Sequence, residues 1–522
     1  MLKTSFCAMA LALLATCPWN PAQAAGDHDR GEALHVLDRL AYGPAPGDLD
    51  RVATMGVDRY IDEQLAPQGI SMPGELRQRL DALRTTRMSE AELFRQYGPP
   101  ARRDAGKDEA ARKQVQKAAN RVAEEAMQAR LLRAVYNPAQ LQEVMTDFWF
   151  NHFNVFRGKG LEDRIWLSAY EREAIRPYAL GRFRDLLGAT AKHPAMLYYL
   201  DNWRSTVGQE DIFGDVKGGL NENYAREVME LHTLGVDGGY TQKDVTELAR
   251  ILTGWTYLPR DWLRGGDEPF RFVPKRHDYG DKVFLGQRFH GSGQDEGERA
   301  LDMLAASPAT ARHISYQLAQ YFVADDPPPA LVDRLAKRFG ETGGDIREVL
   351  RTLFHSPEFR DPANSGNKFK TPYQYVVSAV RASGVEVRNF RPLMGTLNKL
   401  GMPLYGCLTP DGYKNTESAW LNPDSMVYRL NFATALGAGK LPLLRHEETL
   451  PQPEPDDGAA TAKPVAMAEE FGPQDRPPPV DPATLQATLG APFSARTREA
   501  LDAAVPPLRA SLMLGSPEFM RH

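Results

Sequence analysis

Residues 221–235, Asn-Glu-Asn-Tyr-Ala-Arg-Glu-Val-Met-Glu-Leu-His-Thr-Leu-Gly, constrain this chain more than any other stretch. At about 100° per residue they read as a helix with two unlike faces. Tyr224, Val228 and Leu231 share an apolar side, extended by Ala225, Met229 and His232. Asn223, Arg226, Glu227 and Glu230 gather opposite. Residues 236–240 then form a turn, and Thr241 with Asp244 makes a capping box for a second helix running to Trp255. A polar cluster wedged between apolar, tightly turned elements predicts a helical body built around a buried site.

The ends of the chain set the compartment expected. Residues 1–24 read as a secretion signal, with Lys3 as the charged start, residues 6–15 as the apolar core and Ala22-Gln23-Ala24 as the cleavage site. A competing reading makes Cys17 a lipid-modified cysteine, which Thr16 and Pro18 fit poorly. No other segment approaches the ~18 consecutive apolar residues of a membrane span. Once Cys7 and Cys17 leave with the signal, Cys407 has no partner for an intramolecular disulfide, and beside Gly406 it reads as packing. The fold must therefore rest on its own core, which a chain this long can supply. A formal charge of −5, from 63 basic and 68 acidic residues, points away from nucleic acid.

The periodicity predicts a mostly α protein. One large helical domain spans 25–445, with a long amphipathic helix over about 109–136 stopped by Asn137-Pro138. Pro177 is expected to kink or end the helix before it. At about 268–290 the pattern changes to short strands, 270–273 and 282–285, read as a hairpin laid over the helices. Residues 446–481, rich in Pro, Glu, Asp and Ala, read as a flexible linker, and 482–522 as two further helices. Ser516-Pro-Glu-Phe519 repeats Ser356-Pro-Glu-Phe359, which we read as shared helix-start chemistry.

Several of these segments, in this order, resemble the bacterial domain-of-unknown-function family 1800. The resemblance runs through residues 35–44, 147–153, 176–185 and 193–197, the 221–255 segment, His277-Asp278, 356–359 and Thr409-Pro-Asp-Gly-Tyr413. It implies an exported, mostly helical bacterial protein and supplies no reaction.

Chemistry is expected first on Glu227 and Glu230, three apart and so neighbours on one helix face, with Arg226 and Asn223 to position them. Burial raises the pKa of one carboxyl while a cation keeps the other ionised, an arrangement suited to acid–base work on a glycosidic bond. The competing reading is a salt-bridge network that locks two helices. Asp147, Asn151 and His152 lie in an intensely aromatic helix and read either as sugar-binding groups or as a buried polar staple. His277 and Asp278, with Lys282 nearby, read as an exposed loop pair closing over the top. No metal motif such as His-Glu-x-x-His, no nucleotide-binding glycine loop and no Gly-x-Ser-x-Gly elbow is present, so no cofactor is expected.

Two functions follow as expectations. The first is an exported glycoside hydrolase or lyase acting on an extracellular or cell-envelope polysaccharide, with Glu227 and Glu230 as its acid–base pair. The second is a non-catalytic envelope factor that partners a sulfatase-like protein, a role the resemblance implies, with the linker and C-terminal helices as a docking arm.

Overall fold

The computed structural model describes residues 21–99, 109–210, 216–445, 472–490 and 493–522. The signal expected over 1–24 lies outside this set apart from 21–24, which begin the helix Pro21–Leu40, and the linker stretch 446–471 lies outside it entirely. The chain is mostly α, with three two-stranded antiparallel ladders among the described residues. Its core is built on large side chains withdrawn completely from solvent, including Trp149, Trp166, Trp255 and Trp262.

The long helix is Glu109–Tyr136, and the aromatic helix after it is Gln140–His152. The effect expected of Pro177 is visible two turns earlier. The helix Leu161–Tyr170 loosens into a π segment, Glu171–Ile175, and ends in the tight turn Arg176–Tyr178. Proline lacks the N–H that would continue the ladder, and the widened turn aims Glu171 and Arg176 inward.

The strands pair differently from the expected hairpin. Arg271–Phe272 joins Trp255–Thr256, at the end of the preceding helix, while Lys282–Phe284 pairs with Gln287–Phe289. The tight turn is Leu285-Gly286, with φ of 46° and 76°, as a two-residue hairpin loop demands.

The segment 221–235 is also shorter as a helix than its periodicity predicts. Helix runs only over Asn223–Glu230, and Thr233 Oγ1 then donates to Val228 O at 2.6 Å, satisfying a terminal carbonyl before Gly235 turns at φ 82°. The capping box of Thr241 and Asp244 forms as expected and opens Gln242–Ile251.

The C-terminal part holds three helices, Pro482–Leu489, Ala495–Ala503 and Pro506–Leu514. They are packed into the body. His522 and Lys368 exchange two main-chain hydrogen bonds (3.2 and 2.9 Å), and Lys370 N donates to Met520 O at 2.9 Å. The end of the expected linker is likewise fixed, since Leu444 N donates to Asp475 O and Val480 N to Gly437 O. Ser356 and Ser516 both accept from the amide three residues on, at 3.2 and 3.1 Å, but only Ser356 opens a helix, Pro357–Arg360, while residues 517–520 form a turn.

Candidate functional site

A cleft of about 580 Å³ opens where three helices and a loop meet. Gln140–His152 supplies its floor through Asp147, Phe148, Asn151 and His152, and Glu230 and Leu231 form one wall. The helix Pro308–Phe322 contributes Arg312, His313, Tyr316 and Gln317, and the loop Asp411 to Asn415 closes the remaining side. Tyr316, 40 % exposed, offers an aromatic face. The structure thus brings together four of the residues singled out in the sequence, Asp147, Asn151, His152 and Glu230. Glu227 stands one turn before Glu230, partly buried, and does not itself line the cleft; nor do Asn223 and Arg226.

Beneath the floor lies a buried ionic network. Arg130 pairs with Asp147 and lies 3.4 Å from Glu171, and its guanidinium sits 5.0 Å from the ring centres of Phe150 and Tyr405. Arg176 bridges Glu171 (3.0 Å) and Glu143 (2.7 Å), and Tyr405 donates to Glu171 at 2.9 Å. Buried charges persist only when paired and hydrogen-bonded, and these are. Asp147 therefore answers to Arg130 and anchors the floor.

Asn151 is committed as well. Its Nδ2 donates to Tyr413 O at 2.8 Å, and its Oδ1 accepts from Tyr413 N at 2.7 Å. Asn154 Nδ2 donates to Cys407 O and Thr409 O (3.1 and 2.9 Å), and Tyr199 OH to Leu408 O at 3.0 Å. These bonds clamp the 407–413 loop. Gly412 completes the clamp, with φ 69° and so close an approach that a Cβ there would stand 2.2 Å from Asn151 O. Cys407 is buried in this loop, as packing requires.

His152 Nε2 lies 3.1 Å from His232 O, so that nitrogen carries the proton and donates. Burial, followed by the neighbouring His313, lowers its pKa to about 3 and keeps the ring neutral. His232 is buried on the apolar side, as its helical position suggested, and neither ring nitrogen has a protein partner.

Three carboxyls cluster at the Glu230 end and differ in their company. Glu230 lies 3.5 Å from Arg226. Asp411 accepts from Lys414 Nζ at 2.6 Å. Burial disfavours its charged form, but the hydrogen bonds from Lys414 and Thr409 outweigh that and hold its carboxyl below the usual range. Glu227 has no ion pair among the described residues. Burial pushes its carboxyl up, and the charges of Glu230 and Asp411 push it further against the pull of Arg226.

His277 and Asp278 do not form an exposed pair over the cleft. The His277 side chain is fully buried, with Nδ1 2.9 Å from Thr253 O and Nε2 3.2 Å from Glu296. Asp278 takes two bonds from Arg250, at 2.7 and 3.2 Å, and neither residue lines the cleft. The pair fastens the Lys282–Phe289 hairpin to the helices. Its loop position in sequence gave no sign of Glu296 waiting beneath it.

A His/carboxylate group close enough to share a metal occurs at Glu90, Glu173 and His193 among the described residues. There His193 Nδ1 accepts from Ala195 N at 3.1 Å, so Nε2 bears the proton and faces Glu90 at 2.5 Å. That tautomer has no lone pair left for a metal.

Sequence reasoning passed over Asp411, Tyr413, His313 and Tyr316. The signal for the first two was present, since Thr409-Pro-Asp-Gly-Tyr413 is one of the motifs that carries the family resemblance. Nothing in one sequence sets the helix Pro308–Phe322 beside the site.

Fold and cleft together define a large α-helical protein with an acid-lined cleft over a buried ion network. Residues 35–521 match the family described as protein of unknown function DUF1800, and the chain belongs to that family. No curated protein and no solved structure matches it. Among the described residues no helix is long and apolar enough to cross a membrane.

Proposed function

We propose that this protein is an exported enzyme that cleaves an extracellular or cell-envelope polysaccharide by carboxylate acid–base chemistry. The observation that carries this reading is the convergence on one cleft of Glu230, Asp411 and the aromatic rings of Tyr316, Tyr413 and Phe148, with Glu227 alongside. Aromatic faces stack on the C–H surfaces of sugars, and carboxyls in unlike environments, Glu227 pushed up by burial and Asp411 held low by Lys414, suit glycosidic cleavage. Glu227 or Glu230 acts as the acid and the other as its partner, with Arg226 setting their charge environment. Asp147, Asn151 and His152 serve the site by shaping its floor and fixing the loop across it. The alternative is a non-catalytic envelope factor that partners a sulfatase-like protein, and in it the docking surface would have to lie on the body, into which residues 520 and 522 are hydrogen-bonded.

The test is product release from neutral and acidic bacterial and plant polysaccharides, read by mass spectrometry, with mature protein and Glu227→Gln side by side. New oligosaccharides from the wild type alone support the reading and its acid. Equal release by both keeps the enzyme and removes Glu227 from it. No release by either folded protein across the panel rejects the reading.

A further inference from the structure

The helix Pro423–Gly437 is apolar on both sides. Its inner side, with Phe432, Ala433 and Leu436, is buried, while Val427 and Leu430 share an outer face at 56 % and 46 % exposed. A surface helix normally turns polar residues outward, and one that is apolar all round is normally covered all round.

Its neighbour, Pro506–Leu514, repeats the pattern. Ala510, Met513 and Leu514 are buried, whereas Leu508 and Leu512 stand 49 % and 40 % exposed on one face, with Val505 just before them at 59 %. The two helices run antiparallel and touch. A Cβ at Gly515 would lie 3.0 Å from Leu430 Cδ2, and one at Gly437 would lie 2.6 Å from Ser511 Oγ. With residue 430 beside 515 and 437 beside 511, the turn of about 100° per residue puts the two exposed flanks on the same side of the seam. Val427, Leu430, Val505, Leu508 and Leu512 thus form one apolar strip, with Thr434 at its middle. Their exposed portions sum to roughly 400 Å², which is the apolar share of a standard interface of about 800 Å² per partner.

The charged side chains of these helices do not serve the strip. Arg429 is buried and donates to Lys370 O at 2.7 Å, Arg509 turns back to Ala504 O at 3.2 Å, and Asp424 stands in the first turn of its helix. A helix that lies on a membrane surface rings its apolar side with Lys and Arg, and these two do not. A partner selected by charge has nothing here to read. A second copy of the chain needs no charge, because a two-fold axis sets the same patch against itself. We infer that this strip joins two copies of the protein in a two-fold dimer, with two helices from each chain in the contact. The inference is independent of what the cleft does.

The test is the molar mass of the full mature chain by sedimentation equilibrium, at about 1 to 100 µM. The wild type is expected at twice the mass of one chain through most of that range. Leu508→Glu sets a charge in the strip, twice over in a two-fold dimer, and should raise the dissociation constant by about 100-fold or more. Position 508 faces solvent in the single chain, so the variant should keep the wild-type urea midpoint. Leu430→Glu carries the test if Leu508→Glu fails to fold. A wild type that stays monomeric at the highest concentration overturns the inference, whether the strip is then bare, covered by residues 446–471 of its own chain, or kept for a different protein. A dimer that both variants leave intact overturns it as well, since its contact lies elsewhere.

Discussion

Lys282 Nζ lies 2.7 Å from Glu296 Oε2, and neither side chain has any exposed surface. His277 Nε2 reaches the same oxygen, while Glu296 Oε1 accepts from the amides of Gly291 and Ser292. One carboxylate thus gathers a buried lysine, a histidine and a turn. Glu296→Ala leaves the lysine charge buried without its partner, and we expect a loss of about 3–5 kcal/mol in urea denaturation. The double variant Lys282→Met with Glu296→Leu should recover only part of it, because it removes the buried lysine charge but leaves His277 Nε2 and the Gly291 and Ser292 amides without their acceptor. If the single variant loses less than about 1 kcal/mol, the pair is not sealed from water.

The Asn151–Tyr413 exchange predicts a local effect. Asn151→Ala removes both bonds and leaves a main-chain N–H and C=O to find new partners, at about 1–3 kcal/mol for each buried group left unpaired. The loss should concentrate in the loop. Amide hydrogen exchange over residues 407–413 is expected to speed up by an order of magnitude or more, with the helix Gln140–His152 protected as before. Uniform acceleration across the protein would mean that Asn151 supports the fold at large and not the loop.

These two side chains also show what one sequence can and cannot tell. Polarity in apolar company marked Asp147 and Asn151 as residues that must have partners, and each has them, whereas His277 was expected in an exposed loop and is buried on Glu296. The partners themselves (Arg130, the Tyr413 main chain and Glu296) come from 17, 262 and 19 residues away, a matter of tertiary packing that no local pattern encodes. Helix class, capping boxes and the stop at Pro138 were legible because they are set within four or five residues. The Leu285-Gly286 turn was missed because a leucine at positive φ is a poor turn signal. The cleft followed the same divide. Its floor and one wall came from segments that were readable as helices, whereas the loop bearing Asp411 was visible only as part of a family motif.

Asp163 is buried completely, and neither carboxylate oxygen has a protein partner. Burial, followed by the charge of Glu162, pushes its carboxyl well above the usual range, so the folded state holds this proton at pH values where the unfolded chain has released it. Its contribution therefore favours folding at low pH and is lost as pH rises from about 4 toward the folded-state value, at up to about 1.4 kcal/mol per pH unit. Asp163→Asn has no proton to lose. It should match wild type near pH 4 and exceed it at pH 8 in chemical denaturation. A constant difference between the two proteins from pH 4 to 8 would show that Asp163 is ionised in the fold.

His232 gives the opposite slope. Its ring lies 4.9 Å from that of Phe153, with both nitrogens buried and unpartnered, and burial, then His152 and His313, lowers its pKa well below the ordinary value. The unfolded chain takes up a proton as pH falls through about 6.5, and the folded protein does not. Wild type must therefore lose stability below that point, by up to about 1.4 kcal/mol per pH unit for this one ring. His232→Phe keeps an aromatic ring against Phe153 and removes two polar atoms that bond to nothing. At pH 8 it should be at least as stable as wild type, and its advantage should widen steadily between pH 6.5 and 4.5. A marked loss at pH 8 would mean that a ring nitrogen of His232 is satisfied after all, by a water held in the interior beside His152.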